Sequence, residues 1–249
     1  MRLDNIGIDA ADPHAVGEFW EAALGATRLT TEPDLLESRL VIDGDASLDI
    51  CVVKVAEADQ EPLRLHLDLL GGTPGNPGGQ AEAATRLRAL GAHDLDIGQG
   101  EVPWTVLADP GGTPFCVMEA RAAYVGTGPI AALPLDVADP DRDAEFWAWL
   151  TGWQDAPGIA PRTLRHPSGR GPLLEFCPEP APKPAGPAAK NRIHLDVRLE
   201  EGDDVEEIHE QILDLGGRVR EHDWGPLPWR VYLDPSGNEF CVLGGGGVA

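Results

Sequence analysis

The chain has 249 residues, of which 42% are hydrophobic and 24% are charged, a balance typical of a globular protein with a buried core. Nineteen basic residues against 42 acidic ones give a formal net charge of −23. Charge of this sign repels phosphate backbones and anionic lipids, which makes nucleic acids and membrane surfaces unfavourable partners. With four cysteines and no apolar run long enough to span a bilayer, we expect a cytoplasmic protein whose cysteines stay reduced.

The first 120 residues predict two units, each with one strand, one helix and three further strands. The opening strand ends at Asp12-Pro13, where aspartate can cap a helix and proline suits the first helical position. That helix ends at Gly25, and a second helix ends at Gly91. The Asp109–Gly112 segment is a turn that joins the last two strands, since proline fixes φ and glycine tolerates positive φ.

The second half of the chain repeats the first. The repeated segments are Ala11–Pro13 at Ala138–Pro140, Glu18–Trp20 at Glu145–Trp147, His66–Asp68 at His194–Asp196, and Trp104–Val117 at Trp229–Val242. Because four segments recur in the same order, we predict an α+β fold with four tandem βαβββ modules in two homologous halves. The predicted domains are residues 1–120 and 131–243. A proline-rich connector at 178–191 and a tail from 244 are expected to lie outside the packed elements.

The alternation of side chains along strands separates an apolar from a polar face in each half. His66 and Asp68 share one face, opposite three leucines, and His194 and Asp196 share the matching face in the second half, opposite one isoleucine, one leucine and one valine. Other polar or thiol side chains predicted on these faces are Asp49, Cys51, Cys116, Glu175, Cys177 and Cys241. We therefore expect each half to form its own curved sheet, with helices on the apolar face and a small-molecule pocket on the polar one.

The paired βαβββ units, the F-W pair in the first helix, the H-L-D strand and the final D-P-x-G-x-x-F segment resemble the vicinal oxygen chelate (VOC) superfamily. That superfamily includes glyoxalase I, bleomycin-resistance proteins and extradiol dioxygenases, and this chain is most similar to its glyoxalase-like domains, in tandem. The resemblance implies the glyoxalase/bleomycin-resistance/dihydroxybiphenyl dioxygenase-like fold. It covers nearly the whole chain, but a fold of this kind hosts several chemistries.

The resemblance also implies positions for metal ligands, which are usually His or Glu. Carried over, these positions are Asn5, Cys51, His66 and Cys116 in the first half, and Ala132, Cys177, His194 and Cys241 in the second. Only the two histidines match the expected ligand type. We therefore expect no bound cofactor and treat the cysteines as small apolar residues that line the pocket. The alternative is one divalent metal such as zinc in each half, held by two cysteines and a histidine.

The candidate catalytic residues are His66, Asp68, His194 and Asp196, because imidazole titrates near neutral pH and suits proton transfer. The structural alternative is that each histidine is only satisfied by a neighbouring strand or aspartate. The candidate substrate-binding residues are Asn5, Asp49, Cys51, Trp104, Cys116, Glu175, Cys177, Trp229 and Cys241. Trp104 and Trp229 also fit a purely structural role at the core or rim.

Two classes of function follow from these residues. The first is a lyase-type, isomerase-type or other proton-transfer enzyme that acts on a small organic metabolite. The second is a non-catalytic, bleomycin-resistance-like protein that sequesters a drug or metabolite. The partner in both cases is a small-molecule ligand, and the chain could be a monomer or a homodimer.

Overall fold

The computed structural model describes residues 1–44, 46–56, 63–73, 75–76, 78–179, 190–222 and 224–245. Most of the connector predicted at 178–191 and most of the predicted tail lie outside these residues. Within them the chain forms four βαβββ modules in sequence order, which confirms the predicted fold class. No helix in the described residues is long and apolar enough to cross a membrane.

The first half contains modules 1 and 2. Module 1 comprises β1 (Arg2–Ala10), α1 (Pro13–Leu24), β2 (Thr27–Glu32), β3 (Leu35–Asp43) and β4 (Ala46–Lys54). Module 2 comprises β5 (Asp68–Leu70), α2 (Gly79–Ala89), β6 (His93–Asp94), β7 (Thr105–Ala108) and β8 (Pro114–Met118). A 3₁₀ turn at Ala122–Tyr124 lies in the linker between the halves.

The second half contains modules 3 and 4. Module 3 comprises β9 (Ile130–Val137), α3 (Pro140–Thr151), β10 (Gln154–Asp155), β11 (Arg162–Arg165) and β12 (Leu173–Pro178). Module 4 comprises β13 (Ile193–Arg198), α4 (Val205–Asp214), β14 (Arg218–Val219), β15 (Arg230–Leu233) and β16 (Glu239–Leu243).

Each sheet is built from both halves of the chain. The outer-module sheet joins modules 4 and 1 in the strand order β14-β15-β16-β13-β1-β4-β3-β2. The inner-module sheet joins modules 3 and 2 in the order β10-β11-β12-β9-β5-β8-β7-β6. The expectation that each half forms its own curved sheet is therefore wrong. The expectation failed because side-chain alternation shows which face of a strand is apolar but does not show which other strand pairs with its edge.

The first helix of each half begins and ends as its sequence predicts. The Asp12 carboxylate accepts hydrogen bonds from two backbone N–H groups of α1, and Asp139 does the same for α3. Gly25 and Gly152 end these helices in the left-handed region, with φ of 68° and 71°. Glycine adopts this conformation without the steric cost that a Cβ would add.

A buried hydrogen bond joins the two modules of each half across the two sheets. The indole of Trp20 in α1 donates to Asp109 Oδ2 over 3.0 Å, and Trp147 in α3 donates to Asp234 Oδ2 over 3.1 Å. The other oxygen of each carboxylate accepts two backbone N–H bonds of its own β-hairpin turn. Both aspartates are fully buried. These carboxylates therefore hold a helix of one sheet against a turn of the other.

Arginine side chains connect the two halves in a second symmetric pair of contacts. Arg64 of the first half donates to the carbonyl of Gly237, over 2.8 Å, in the last turn of the second half. Arg192 of the second half donates to the carbonyl of Gly111 in the matching turn of the first half. These two arginines therefore join one half of the chain to the other.

We expect Asp234→Asn to lower the free energy of unfolding by about 2–3 kcal/mol, because an amide has one acceptor oxygen and cannot accept both the turn N–H groups at Oδ1 and the indole and Asn238 at Oδ2. The measurement is urea unfolding followed by circular dichroism. Asp139→Asn is the matched control, since asparagine caps helices as well as aspartate and should cost less than about 0.5 kcal/mol. Equal losses in the two variants would contradict the role given to Asp234.

Candidate functional site

The strand register gathers side chains from both halves on one face of the outer-module sheet. Asn5 of β1 lies opposite Asp196 of β13, and Gly7 lies opposite His194. The flanking strands add Asp49 and Cys51 from β4 and Cys241 from β16. The ligand-type atoms of His194, Asp196 and Cys241 all lie within 4.8 Å of one another. This face, which neither half could form alone, is the candidate site.

Gly7 leaves the space that the His194 ring occupies. A Cβ at position 7 would lie 2.5 Å from Nε2 of the imidazole, which is too close for any side chain. The ring thereby lies with Nε2 3.5 Å from Asp196 Oδ1. Burial lowers the pKa of His194 to about 3, and the charges of Lys190 and Arg220 act in the same direction. The imidazole is therefore neutral at pH 7.

Two buried carboxyl groups near His194 titrate close to neutrality. Burial raises the pKa of Asp196 to about 7, although the thiol and the backbone N–H of Cys241 both stabilise its charge. Burial also raises the pKa of Glu239 to about 7, against the attraction of Arg220. The thiol pKa of Cys241 is raised by burial well above its ordinary value. At pH 7 the site thus holds a neutral thiol and two carboxyl groups that can each carry a proton.

A cluster of aromatic and cationic side chains, the rim cluster, lies at the edge of this site. It consists of Lys190, Arg220, His222 and Trp224. The Nζ of Lys190 and the guanidinium carbon of Arg220 each lie 5.2 Å from the centre of the Trp224 ring. The His222 ring stacks on Trp224 at 4.8 Å. His222, which has no counterpart in the other half of the sequence, is therefore part of this cluster.

The equivalent face of the inner-module sheet is arranged differently. The counterpart of Gly7 is Pro134, whose carbonyl accepts a hydrogen bond from the backbone N–H of His66. Because proline has no N–H to donate, the ladder is interrupted here and β5 begins only at Asp68. Among the described residues, the only cluster of three potential metal ligands lies in the outer-module sheet. Asp68 lies opposite Cys116 and contacts its thiol, as Asp196 does with Cys241, but His66 does not complete a cluster of three among the described residues.

The linker between the halves covers the inner-module sheet. Tyr124 is buried in a cluster with Val106, Cys116 and Ala132. Its hydroxyl accepts a hydrogen bond from Arg121, whose guanidinium lies 5.8 Å from the centre of the Trp104 ring. The linker thus fills the face on which the second pocket was expected.

Burial raises the pKa of Asp68 to about 7, and the charge of Glu175 raises it further. Glu175 itself accepts a hydrogen bond from the backbone N–H of Ile159, and burial raises its pKa. Asp68 therefore resembles Asp196 in its pKa, but the linker lies beside Asp68 in place of a rim cluster.

The sequence-predicted residues therefore divide between two sheets instead of two halves. The outer-module sheet holds Asn5, Asp49, Cys51, His194, Asp196 and Cys241, whereas His66, Asp68, Trp104, Cys116, Glu175 and Cys177 belong with the inner-module sheet. The Oδ2 atom of Asp49 forms an ion pair with Nη2 of Arg39 over 2.6 Å. Trp229 is exposed, and Trp224 takes the rim position that was considered for it. A pocket built within each half is thus a prediction that the strand order overturns.

Sequence reasoning missed Gly7, Lys190, Arg220, Trp224 and Glu239. None of them recurs in the other half, so a search based on the repeat gave no reason to single them out. The sequence offered one signal. Glu239 and Cys241 are two positions apart in the same strand, so alternation places the carboxyl and the thiol on the same face.

A family model described as "Glyoxalase-like domain" matches residues 5–118 and again residues 132–243. Glyoxalase I from Zea mays has a similar structure, with 15% identity, a TM-score of 0.59, and coverage of 98% of this chain and 92% of that one. For a point mutant of the same enzyme the TM-score is 0.62, with 15% identity and coverage of 98% and 93%. A candidate dioxygenase from Bacillus subtilis is 14% identical, with a TM-score of 0.58 and coverage of 98% and 85%. No curated protein sequence matches the chain significantly.

In long-range ¹H–¹⁵N spectra we expect His194 to keep the ¹⁵N pattern of a neutral imidazole, with one protonated and one unprotonated ring nitrogen, from pH 8 to pH 5, since its pKa is lowered to about 3. Gly7→Ala should displace the ring toward solvent, and a titration should then appear within this range. Gly244→Ala, where a Cβ meets nothing within 4 Å, is the control. A wild-type His194 that titrates near pH 6.5 would contradict the described burial.

Proposed function

Because the chain belongs to the glyoxalase-like domain family of the VOC superfamily in both of its halves, we propose that it is an enzyme that moves a proton on a small organic molecule. The proposed active site is the candidate site of the outer-module sheet. The observation that carries the proposal is the buried grouping of Asp196, Glu239 and a neutral His194 on one sheet face. The reaction class is a lyase-type or isomerase-type step.

Asp196 is the proposed general base. A carboxylate whose pKa lies near 7 is both ionised in part and basic enough to take a proton from carbon or oxygen at neutral pH. Its Oδ1 accepts the backbone N–H of Cys241 over 3.2 Å, which fixes the direction of the carboxylate. Glu239, with a similar pKa, can return the proton as general acid.

His194 is proposed to position the reacting molecule by a hydrogen bond. Its Nδ1 has no hydrogen-bond partner among the described residues, although the ring is buried. A buried polar atom without a partner is costly, and a bound molecule would relieve that cost. Since the imidazole stays neutral, it can offer either a donor or an acceptor to the ligand without adding charge.

The proposal is tested by deuterium exchange in D₂O, because an enzyme that abstracts a proton from carbon replaces it with deuterium. A panel of small aldehydes, ketones and carboxylic acids with acidic C–H groups is followed by ¹H NMR. We expect catalysed exchange in at least one compound, and a fall of about 100-fold or more in Asp196→Asn. Asp68→Asn, the same change at the repeat position in the inner-module sheet, should leave the exchange rate unchanged.

Two results would overturn this proposal in different ways. Equal losses in the two variants would place catalysis in both sheets or in neither. Tight binding of a compound without any exchange would favour the second function, a protein that sequesters a drug or metabolite. The observation that favours that alternative is Trp224, which is 40% exposed beside the site, since exposed aromatic side chains can bind a ligand without any chemistry.

Three side chains of the candidate site could also hold a divalent ion. Imidazole nitrogen, carboxylate oxygen and thiolate sulfur are all ligands that zinc accepts, so His194, Asp196 and Cys241 fit such an ion by type. When bound, zinc would supply a Lewis acid. Two features oppose it: burial holds the Cys241 thiol in its protonated form, and the positive charges of Lys190 and Arg220 already act on His194. We therefore keep the cofactor-free reaction as the first proposal.

Metal analysis of the purified protein by mass spectrometry decides between these versions. We expect no stoichiometric divalent metal, and no change in melting temperature after treatment with a chelator. One equivalent of zinc per chain, with a lower melting temperature after chelation, would assign Cys241 as a ligand. Cys241→Ser would then lose the metal, whereas Cys116→Ser, at the repeat position, would retain it.

A further inference from the structure

The linker between the halves places an aromatic ring on the inner-module sheet. Tyr124 lies in the 3₁₀ turn of the linker and is only 2% exposed. The buried residues of its cluster include Val106 of β7, Cys116 of β8 and Ala132 of β9, which belong to modules 2 and 3. One ring therefore packs against strands from both halves of the chain.

The ring lies on the sheet face that corresponds to the candidate site, and not on the face that the helices cover. Cys116, a member of its cluster, is the repeat counterpart of Cys241 in the candidate site. Burial raises the pKa of the Tyr124 hydroxyl, and the charges of Glu175 and Asp68 raise it further, which places the phenol beside these two carboxyl groups. Tyr124 thus occupies on one sheet the place that the candidate site offers to a small molecule on the other.

The oxygen of this phenol has a cationic hydrogen-bond donor. Nη1 of Arg121 donates to the Tyr124 hydroxyl over 3.1 Å, and Nε of the same guanidinium donates to Glu119 Oε1 over 2.6 Å. The guanidinium carbon lies 5.5 Å from the centre of the Tyr124 ring and 5.8 Å from that of Trp104. A hydrogen bond from a charged donor is stronger than one between neutral groups. The phenol is therefore bound by its ring and by its oxygen, as a separate ligand would be.

Hydrogen bonds to module 3 hold the linker backbone over the inner-module face. Nη2 of Arg165 donates to the carbonyl of Val125 over 3.2 Å, and the backbone N–H of Gly171 donates to the carbonyl of Gly126 over 3.2 Å. Neither bond uses the side chain of Tyr124. Removal of the ring should therefore leave the linker in place above a space that has the shape of a phenol.

The matching stretch of the second half cannot fill its sheet in this way. It follows β16 as the linker follows β8, and it begins with four glycines, Gly244–Gly247, which have no side chains. Of the two matching stretches, the linker is thus the one that begins with residues able to enter a sheet face.

We propose that the inner-module face is a second small-molecule site, specific for a para-substituted phenol, and that Tyr124 occupies it as an internal ligand. The proposal goes beyond the proposed function, since it concerns the other sheet and requires no reaction there. It is carried by the position of the ring across both halves and by the charge-assisted hydrogen bond to its oxygen. The corresponding free ligand is p-cresol, which is the side chain of tyrosine as a separate molecule.

The test begins with Tyr124→Ala, which removes the ring. Opening of the inner-module face is measured as the rate at which N-ethylmaleimide alkylates each cysteine, followed by mass spectrometry of the full chain's peptides. Cys116 is 9% exposed and belongs to the Tyr124 cluster, so we expect its alkylation to become at least about tenfold faster in the variant. Cys241 is the matched control, since it is 5% exposed at the repeat position and should keep its rate.

Added p-cresol should protect Cys116 of the Tyr124→Ala variant from alkylation and should leave the wild-type rates unchanged. The control ligand is o-cresol, which has the same composition but cannot direct its hydroxyl at Arg121 while its methyl group takes the place of the tyrosine Cβ. We expect p-cresol to protect at about tenfold lower concentration, the difference expected for one hydrogen bond to a charged donor. Adding Arg121→Met to the variant should abolish this preference.

Tyr124→Phe carries the test if the alanine variant fails to fold. It keeps the ring and loses only the hydrogen bond from Arg121, so we expect Cys116 alkylation to rise about threefold while Cys241 is unchanged.

Three results would overturn the internal ligand. Equal acceleration at Cys116 and Cys241 would show that Tyr124 supports the whole fold. An unchanged rate at Cys116 would show that the face is closed without the ring. Equal protection by the two cresols would show a cavity without specificity for a para-substituted phenol. None of these results involves deuterium exchange, so failure here is distinct from failure of the proposed function.

Discussion

The hydrogen bond between a buried indole and a buried turn aspartate determines how this chain is assembled. Trp20 and Asp109 come from modules 1 and 2, which lie in different sheets, and Trp147 and Asp234 repeat the contact in modules 3 and 4. Each aspartate also organises its own turn through two backbone N–H groups. A half is therefore a pair of modules placed back to back, and not a closed sheet. Each module must find its strand partner in the other half.

Because each sheet combines modules from both halves, the same repeated pattern forms two sheets whose corresponding faces differ. Gly7 admits the His194 ring in one sheet, whereas Pro134 stands at the matching position in the other. Arg220 in the outer-module sheet corresponds to Leu95, which packs in the apolar cluster around Tyr124. A small number of changes thus converts a polar site into a filled apolar one while the strand register is kept. Symmetry of the backbone does not require symmetry of function.

The parts of the structure that could be predicted from the sequence are those set by local chemistry. The Asp-Pro pairs that begin helices, the glycines that end them and the alternation along strands predict the four modules. The repeat predicts that the modules of one half correspond to those of the other. Which module pairs with which could not be predicted, because β1 offers the same pattern to β13 as to any strand of its own half. The rim residues were missed for a related reason. Lys190 acquires its significance from Trp224, from which it is distant in the sequence, whereas Arg220 lies four positions from that ring but does not recur in the other half.

The contacts that join the two halves also place charged side chains at the candidate site. β1 lies between β13 and β4 at the centre of the outer-module sheet, so a separated half would expose the paired edges of both central strands. Lys190 reaches across this junction to Asp9, and Arg198 reaches across it to Asp4 over 2.7 Å. Lys190 of the rim cluster is thus positioned by an ion pair between the halves. Since a buried or half-buried pair gains strength only when both partners are held in place, docking of the halves and formation of the site are physically coupled. A tandem repeat that exchanges strand partners therefore gains something that two separate domains lack, namely a site that exists only in the fully assembled chain.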